Sequence, residues 1–210
     1  MDLYFFDLDK TLYAYDFRRR LPALARLTGI SQYRLARSWW ADGYETRSEA
    51  GEWPTTEEYL EEFARVTGGR LLTLDEWADA RRAAMTRIDG SVAALRYAAS
   101  IGHVSLLSNN PAPLAAALPL LAPDVAEILG SNVLVSFMLG DRKPHPDFFA
   151  RALAHYGVNS ASTFFTDDNA DNIEGARSIG ITCHHLEWVE GVAQTDALRG
   201  AVDAFASRHR

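Results

Sequence analysis

Residues 5–12 read FFDLDKTL. An apolar, strand-like run ends here in two carboxylates, Asp7 and Asp9, set two residues apart. Alternate side chains of an extended chain share a face, so continued strand geometry aims both acids the same way. Two like charges held that close are unfavourable unless a cation or a shared proton relieves them. The pair asks for a partner, and the rest of the chain is where to find one.

Further short apolar, β-branched or aromatic runs follow LYFF (3–6): VSLLS (104–108), VLVSF (133–137), TFF (163–165) and ITC (181–183). They read as buried strands. Helical patterns at 91–99, 113–129, 146–156 and 172–179 separate or follow them, and one at 195–206 closes the chain. Strands alternating with helices predict an α/β fold, a Rossmann-like parallel sheet flanked by helices on both faces. One connection breaks the rhythm. Between Leu12 and Ser91 lie about eighty residues with several helical patterns and no convincing strand. Ser31 can N-cap SQYRLARSWWAD, Thr55 and Glu58 form a capping-box pattern, and Gly68 and Gly69 can end the helix that box opens. LDEWADARRAAM reads as a further helix. The expected layout is a core of residues 1–12 and 91–210, with an α-helical cap at 13–90 over the sheet's carboxyl edge, where ligand sites of α/β proteins form.

At 210 residues, 48% of them apolar, the chain has the material for one domain carrying a smaller inserted one. A formal net charge of −7 argues against nucleic acid as the main partner. No apolar run reaches the roughly 18 residues of a membrane span, and no basic-then-apolar leader opens the chain. Cys183 is the only cysteine and has no internal partner, so a reducing cytoplasm is the expected location. Lys10 and Lys143 are the only lysines against nineteen arginines, which leaves two candidates for any chemistry that needs an amine.

Three later stretches answer the pair of aspartates. LLSNN places Ser108 and Asn109 after the second strand; DRKPHP places Lys143 after the third; TFFTDDNADN places Asp167, Asp168 and Asn172 at the end of the fourth. A parallel sheet brings them to one edge. Clustered hard oxygen ligands suit Mg²⁺, which typically bridges carboxylates and substrate phosphate. The lysine and the Ser108 hydroxyl then hold phosphoryl oxygens. An aspartate is ionised at neutral pH and attacks phosphorus without a base, while a second aspartate can exchange a proton with the leaving oxygen and with water.

With these four stretches in order along essentially the whole chain, the sequence resembles a haloacid dehalogenase superfamily phosphatase. FDLDKTL matches the D-x-D-x-T signature, SNN the second motif, RKPHP the lysine motif and DDNADNIEGA the acidic fourth motif. The insertion after the first motif resembles the helical cap of the superfamily's first subclass. RSEAGEWPTTEEYLEEF and FFTDDNADNIEGARSIGIT are similar to the subfamily of bacterial glucose-1-phosphate phosphatases and the N-terminal phosphatase domains of epoxide hydrolases. The resemblance implies Asp7 as nucleophile, Asp9 as general acid/base, and Thr11, Ser108, Asn109 and Lys143 at the phosphate. It implies Mg²⁺ on Asp7, the Asp9 carbonyl and Asp168, with Asp167 as a further ligand. Lys10 departs from the pattern, which often has glycine or asparagine there.

The implied activity is Mg²⁺-dependent hydrolysis of a small phosphorylated metabolite, sugar phosphates first and nucleoside 5′-monophosphates next, by a monomer or homodimer. A 2-haloacid dehalogenase is the rival on the same scaffold, but that family lacks a carboxylate at the position of Asp9. A phosphonate hydrolase of the family type needs a cap lysine, and residues 13–142 contain none. Trp39, Trp40 and Tyr44 are read as cap core, with stacking on a sugar or base as the alternative. Arg18, Arg19 and Arg20 are read as a solvated helix face, and His184 and His185 as a weak metal pair.

Overall fold

A computed structural model describes residues 2–209. The chain runs β1 (Leu3–Phe6), β2 (Tyr13–Tyr15), then α1 (Phe17–Thr28), α2 (Gln32–Leu35), α3 (Tyr44–Glu49), α4 (Thr56–Thr67) and α5 (Leu74–Arg82) before β3 (Met85–Arg87). Next come α6 (Asp89–Ile101), β4 (His103–Ser108), α7 (Ala112–Leu121), α8 (Pro123–Leu129), β5 (Val133–Val135) and α9 (Pro146–Tyr156). The chain continues through β6 (Thr163–Asp167), α10 (Ala170–Ser178), β7 (Thr182–His185), the short β8 (Trp188–Val189) and β9 (Val192–Ala193), and α11 (Thr195–Ala206).

The five expected runs pair into one parallel sheet of order β5-β4-β1-β6-β7. β1 lies at its centre, and all four of its side chains are buried, as a strand covered on both faces requires. Tyr4 and Phe6 join one apolar cluster, with α6 and α11, while Leu3 and Phe5 join a second, with α9 and α10. The twofold side-chain alternation of a single strand thus feeds both layers of the fold.

Three expectations need correction. The insertion does contain strands: β2 and β3 form an antiparallel ribbon, Tyr13 opposite Arg87 and Tyr15 opposite Met85, at the two ends of the inserted helices. The pattern at 113–129 is two helices, bent by 108° where Ala122 precedes Pro123, because proline disfavours helical geometry in the residue before it. Only Val133–Val135 of the third run is strand; Ser136–Leu139 turns into a 3₁₀ segment toward the lysine loop. No single helix among the described residues is long and apolar enough to cross a membrane.

Inside the insertion the capping signals form as read. Ser31 caps α2, which passes into a π-helical stretch at Ala36–Ala41, and Thr55 with Glu58 closes a complete capping box on α4. Gly68, at φ 73°, ends α4. Arg20 departs from the solvated face read for Arg18–Arg20. It is 2% exposed, bonded to the Tyr15 hydroxyl at 3.1 Å and stacked near Trp40 and Trp77, while Arg18 and Arg19 are exposed.

Candidate active site

Asp7 follows the central strand, Ser108 ends β4 and Asp167 ends β6, so three neighbouring strands deliver their polar residues to one edge. Lys143 arrives from the loop before α9. Its seat depends on Gly175 in α10, where an added Cβ would lie 2.0 Å from the Pro144 carbonyl oxygen; only glycine lets the lysine loop pack this close to the helix. Asn109 holds the same loop from the other side, accepting from the Lys143 N–H and donating to its carbonyl, each at 2.9 Å. The Asn109 carboxamide is thereby used at both ends as a strut that fixes the lysine loop.

Lys143 is 1% exposed and donates to Asp7 at 2.7 Å, to Asp167 at 2.6 Å and to the Leu107 carbonyl at 2.9 Å. Three acceptors satisfy its three N–H groups, as a buried ammonium needs. Asp7 also accepts from the Ser108 hydroxyl at 2.8 Å. Asp167 is held by the Asn169 N–H and the Asn172 amide. The Thr11 hydroxyl is buried and has no hydrogen-bond partner among the described residues.

Asp9 is met by a residue the sequence did not point to. Arg81, on α5 and 2% exposed, reaches both its oxygens at 2.6 and 2.9 Å, and Asn110 adds a contact at 3.3 Å. Asn110 also donates to Ser108 at 3.0 Å, so one carboxamide links the surroundings of Asp7 and Asp9. The second asparagine of SNN was visible as a polar residue in a motif. Arg81 was not, since on an amphipathic helix it reads as a solvated charge. A second ion pair joins the insertion to the lysine loop: Glu49 meets Arg142 at 2.9 Å. Burial pushes the Glu49 carboxyl up to about 8, with Glu45 and Asp9 adding to the rise and Arg142 opposing it.

The cluster remains short of positive charge. Four carboxylates, Asp7, Asp9, Asp167 and Asp168, face Lys143 and Arg81, with Lys10 at 3.9 Å from Asp168 on the exposed side. Burial raises the Asp7 carboxyl to about 7; Asp167 and Asp9 add to the rise and Lys143 opposes it. Asp168 is raised too, by burial and then by Asp167. Asp7, Asp167 and Asp168 each offer an oxygen, all within 4.8 Å of one another. Hard oxygen donors with surplus negative charge fit a small divalent cation.

The remaining expectations separate cleanly. Lys10 takes φ 60°, the left-handed conformation in which glycine and asparagine are favoured, and the Trp188 indole N–H donates to its carbonyl at 2.9 Å. His185 is bonded to the Asp168 carbonyl rather than paired with His184 around a metal. Burial pushes the Cys183 thiol up to about 12, which leaves it unreactive. Trp39 is fully buried, donates to Glu45, and packs against Tyr44, Trp53, Tyr59 and Phe63.

Known proteins share this chain's family and fold. The haloacid dehalogenase-like hydrolase family matches residues 1–180. Phosphatase MT3486 of Mycobacterium tuberculosis is 31% identical over an alignment of 191 residues that covers 87% of this chain and 85% of that protein. Among solved structures, a haloacid dehalogenase family enzyme of Bacteroides thetaiotaomicron, bt-2542, in complex with magnesium and inorganic phosphate, superposes with a TM-score of 0.73 at 19% identity. That match covers 89% of this chain and 94% of that one. L-2-haloacid dehalogenase of Xanthobacter autotrophicus superposes at 0.60 with 20% identity, over 97% of this chain and 83% of that one. A family match over most of the chain, joined to a fold and an acidic edge of this form, places the protein among the haloacid dehalogenase-like hydrolases.

Proposed function

We propose that the protein is a Mg²⁺-dependent phosphomonoester hydrolase acting on a small phosphorylated metabolite through an aspartyl-phosphate intermediate. The observation that carries this reading is the buried Asp7–Lys143–Asp167 cluster, closed by Asp168 and short of positive charge. Asp7, Asp167 and Asp168, with the Asp9 carbonyl, would hold the metal. Bound there, Mg²⁺ supplies the charge that keeps Asp7 ionised and neutralises the phosphate.

Asp7 is the nucleophile: a carboxylate oxygen bonds to phosphorus as the ester oxygen departs. Lys143 and Ser108, already on Asp7, are placed to take phosphoryl oxygens as charge shifts onto them. The Thr11 hydroxyl adds a buried donor with no acceptor among the described residues. Asp9 gives the departing oxygen its proton, then removes one from the water that opens the acyl phosphate. Asn109 acts one step back, by fixing the main chain at Lys143.

The phosphatase relative from Mycobacterium tuberculosis supports phosphate esters as substrates. Sugar phosphates are the favoured class, with nucleoside 5′-monophosphates second, and the working form is a monomer or homodimer in the cytoplasm with no nucleic-acid or membrane partner. Dehalogenation is disfavoured by the care with which Arg81 and Asn110 hold a carboxylate at Asp9. A screen of phosphate esters with purified protein should show phosphate release that requires Mg²⁺ and stops with chelator. Asp7→Asn should fold normally and release none. Full turnover in chelator, or wild-type turnover in that variant, refutes the mechanism.

A further inference from the structure

A cavity of about 630 Å³ opens beside the carboxylate cluster. Its size is that of a small-molecule site, for which roughly 300–1,000 Å³ is usual. Ala14, Tyr15 and Arg19 line it from the ribbon and the start of α1; Glu187, Trp188 and Val189 line it from the segment after β7. Trp39, Trp40 and Tyr44 are not among its lining residues. It meets the reacting centre at Asp168, which lines the cavity and also offers an oxygen to the trio with Asp7. Tyr15 makes the second connection: its ring lies 5.0 Å from the guanidinium of Arg81, which holds Asp9.

The wall formed by Trp188 is built rather than incidental. The indole N–H is fixed on the Lys10 carbonyl at 2.9 Å, yet the residue remains 36% exposed. It stands on a two-residue hairpin, β8–β9, whose turn residues Glu190 and Gly191 both have positive φ, the geometry that matches strand twist in tight hairpins. Val189 and Val192 on the same hairpin are also exposed. An aromatic plate anchored by its polar edge offers its apolar face to a ligand. Glu187 and Arg19 add an acceptor and donors, the pattern of a few polar groups on an apolar wall that orients a bound molecule.

We propose that this cavity is the leaving-group subsite and that it takes a hydroxylated ring, a sugar or the ribose of a nucleotide, laid against Trp188 with its hydroxyls on Glu187 and Arg19. The inference rests on the phosphomonoesterase reading. It moves substrate choice from the aromatic residues of the inserted helices to the β8–β9 hairpin.

The test compares kcat/KM for glucose 1-phosphate, AMP and the acyclic glycerol 3-phosphate in the wild type, Trp188→Ala, Trp188→Phe and Glu187→Ala. Trp188→Ala should lower both ring esters about tenfold and glycerol 3-phosphate less than about twofold. Phenylalanine keeps the plate while losing the N–H, so it should retain most ring-ester activity; Glu187→Ala should shift the esters in the same sense as Trp188→Ala. An equal fall for all three esters in Trp188→Ala means that the indole acts only through the Lys10 loop, and overturns the subsite. So does an unchanged ranking. If the wild type hydrolyses none of the three, the phosphatase reading has failed, and calorimetric titration still reads the cavity. Glucose 1-phosphate binding weakened by Trp188→Ala, with inorganic phosphate binding unchanged, supports the subsite; equal weakening, or no glucose 1-phosphate binding, overturns it.

Discussion

Lys10, Arg20 and Trp39 show what a single residue's neighbours decide. The glycine or asparagine that the resemblance leads one to expect at position 10 answers a backbone demand, the left-handed φ of 60°, and here a lysine meets that demand with its carbonyl tied to Trp188. The meeting of Asp7, Ser108 and Lys143 at one sheet edge could be read from sequence because each sits at a strand end or beside a proline within a short motif. Arg20 and Arg81 could not: an arginine is buried only when distant aromatic rings and carboxylates assemble around it, and those come from other elements. Trp39 belongs to the same kind of network. Its N–H and the Tyr59 hydroxyl both donate to buried Glu45, so losing the indole opens space and leaves that carboxylate short of a donor. Trp39→Leu should cost about 3 kcal/mol in denaturant unfolding. Its ranking among phosphate esters should match the wild type; a reordered ranking would return Trp39 to the specificity surface.

At the level of elements, local signals were legible and long-range pairings were not. The α4 capping box is a four-residue statement, and it forms in full, with the Thr55 and Glu58 side chains and backbone N–H groups exchanging hydrogen bonds. Thr55→Ala should therefore destabilise the protein by about 1 kcal/mol, measured as a shift in denaturant midpoint with unchanged slope. An unshifted midpoint would mean that α4 is held by packing of Tyr59 and Phe63 alone. The β2–β3 ribbon carried no comparable signal. Three residues at each end, YAY and MTR, are too short for periodicity, and their register spans the whole insertion. The 113–129 break was readable in principle from Ala122–Pro123, yet apolar residues on both sides kept the helical pattern going.

Across the whole molecule, the insertion and the sheet meet through charge as well as packing. Arg81 on α5 holds Asp9, Glu49 on α3 holds Arg142, and the loop at Gly51 lies so close to the Phe137 carbonyl that an added Cβ would sit 2.7 Å from it. These contacts fix the inserted helices over an edge where carboxylates outnumber cations, and that imbalance has a pH signature. Burial, which disfavours its charge, pushes the Asp7 carboxyl up to about 7 in the folded protein from 3.8 for a free aspartate. A raised carboxyl contributes fully below the unfolded value, and its contribution is lost as pH rises through the folded one. Without metal, stability should fall between about pH 4 and pH 7 from this group, and Glu49, raised to about 8, extends the loss upward. Mg²⁺ held by Asp7, Asp167 and Asp168 would bind the ionised form of Asp7 and would leave Glu49 outside its ligands. The Mg²⁺-induced rise in Tm should therefore be small near pH 5.5 and large near pH 8. Asp7→Asn removes the unfavourable charge, so at pH 8 without metal it should melt above the wild type and gain less from Mg²⁺. Equal Mg²⁺ shifts at both pH values in the wild type would mean that Asp7 is not the group whose ionisation the metal stabilises.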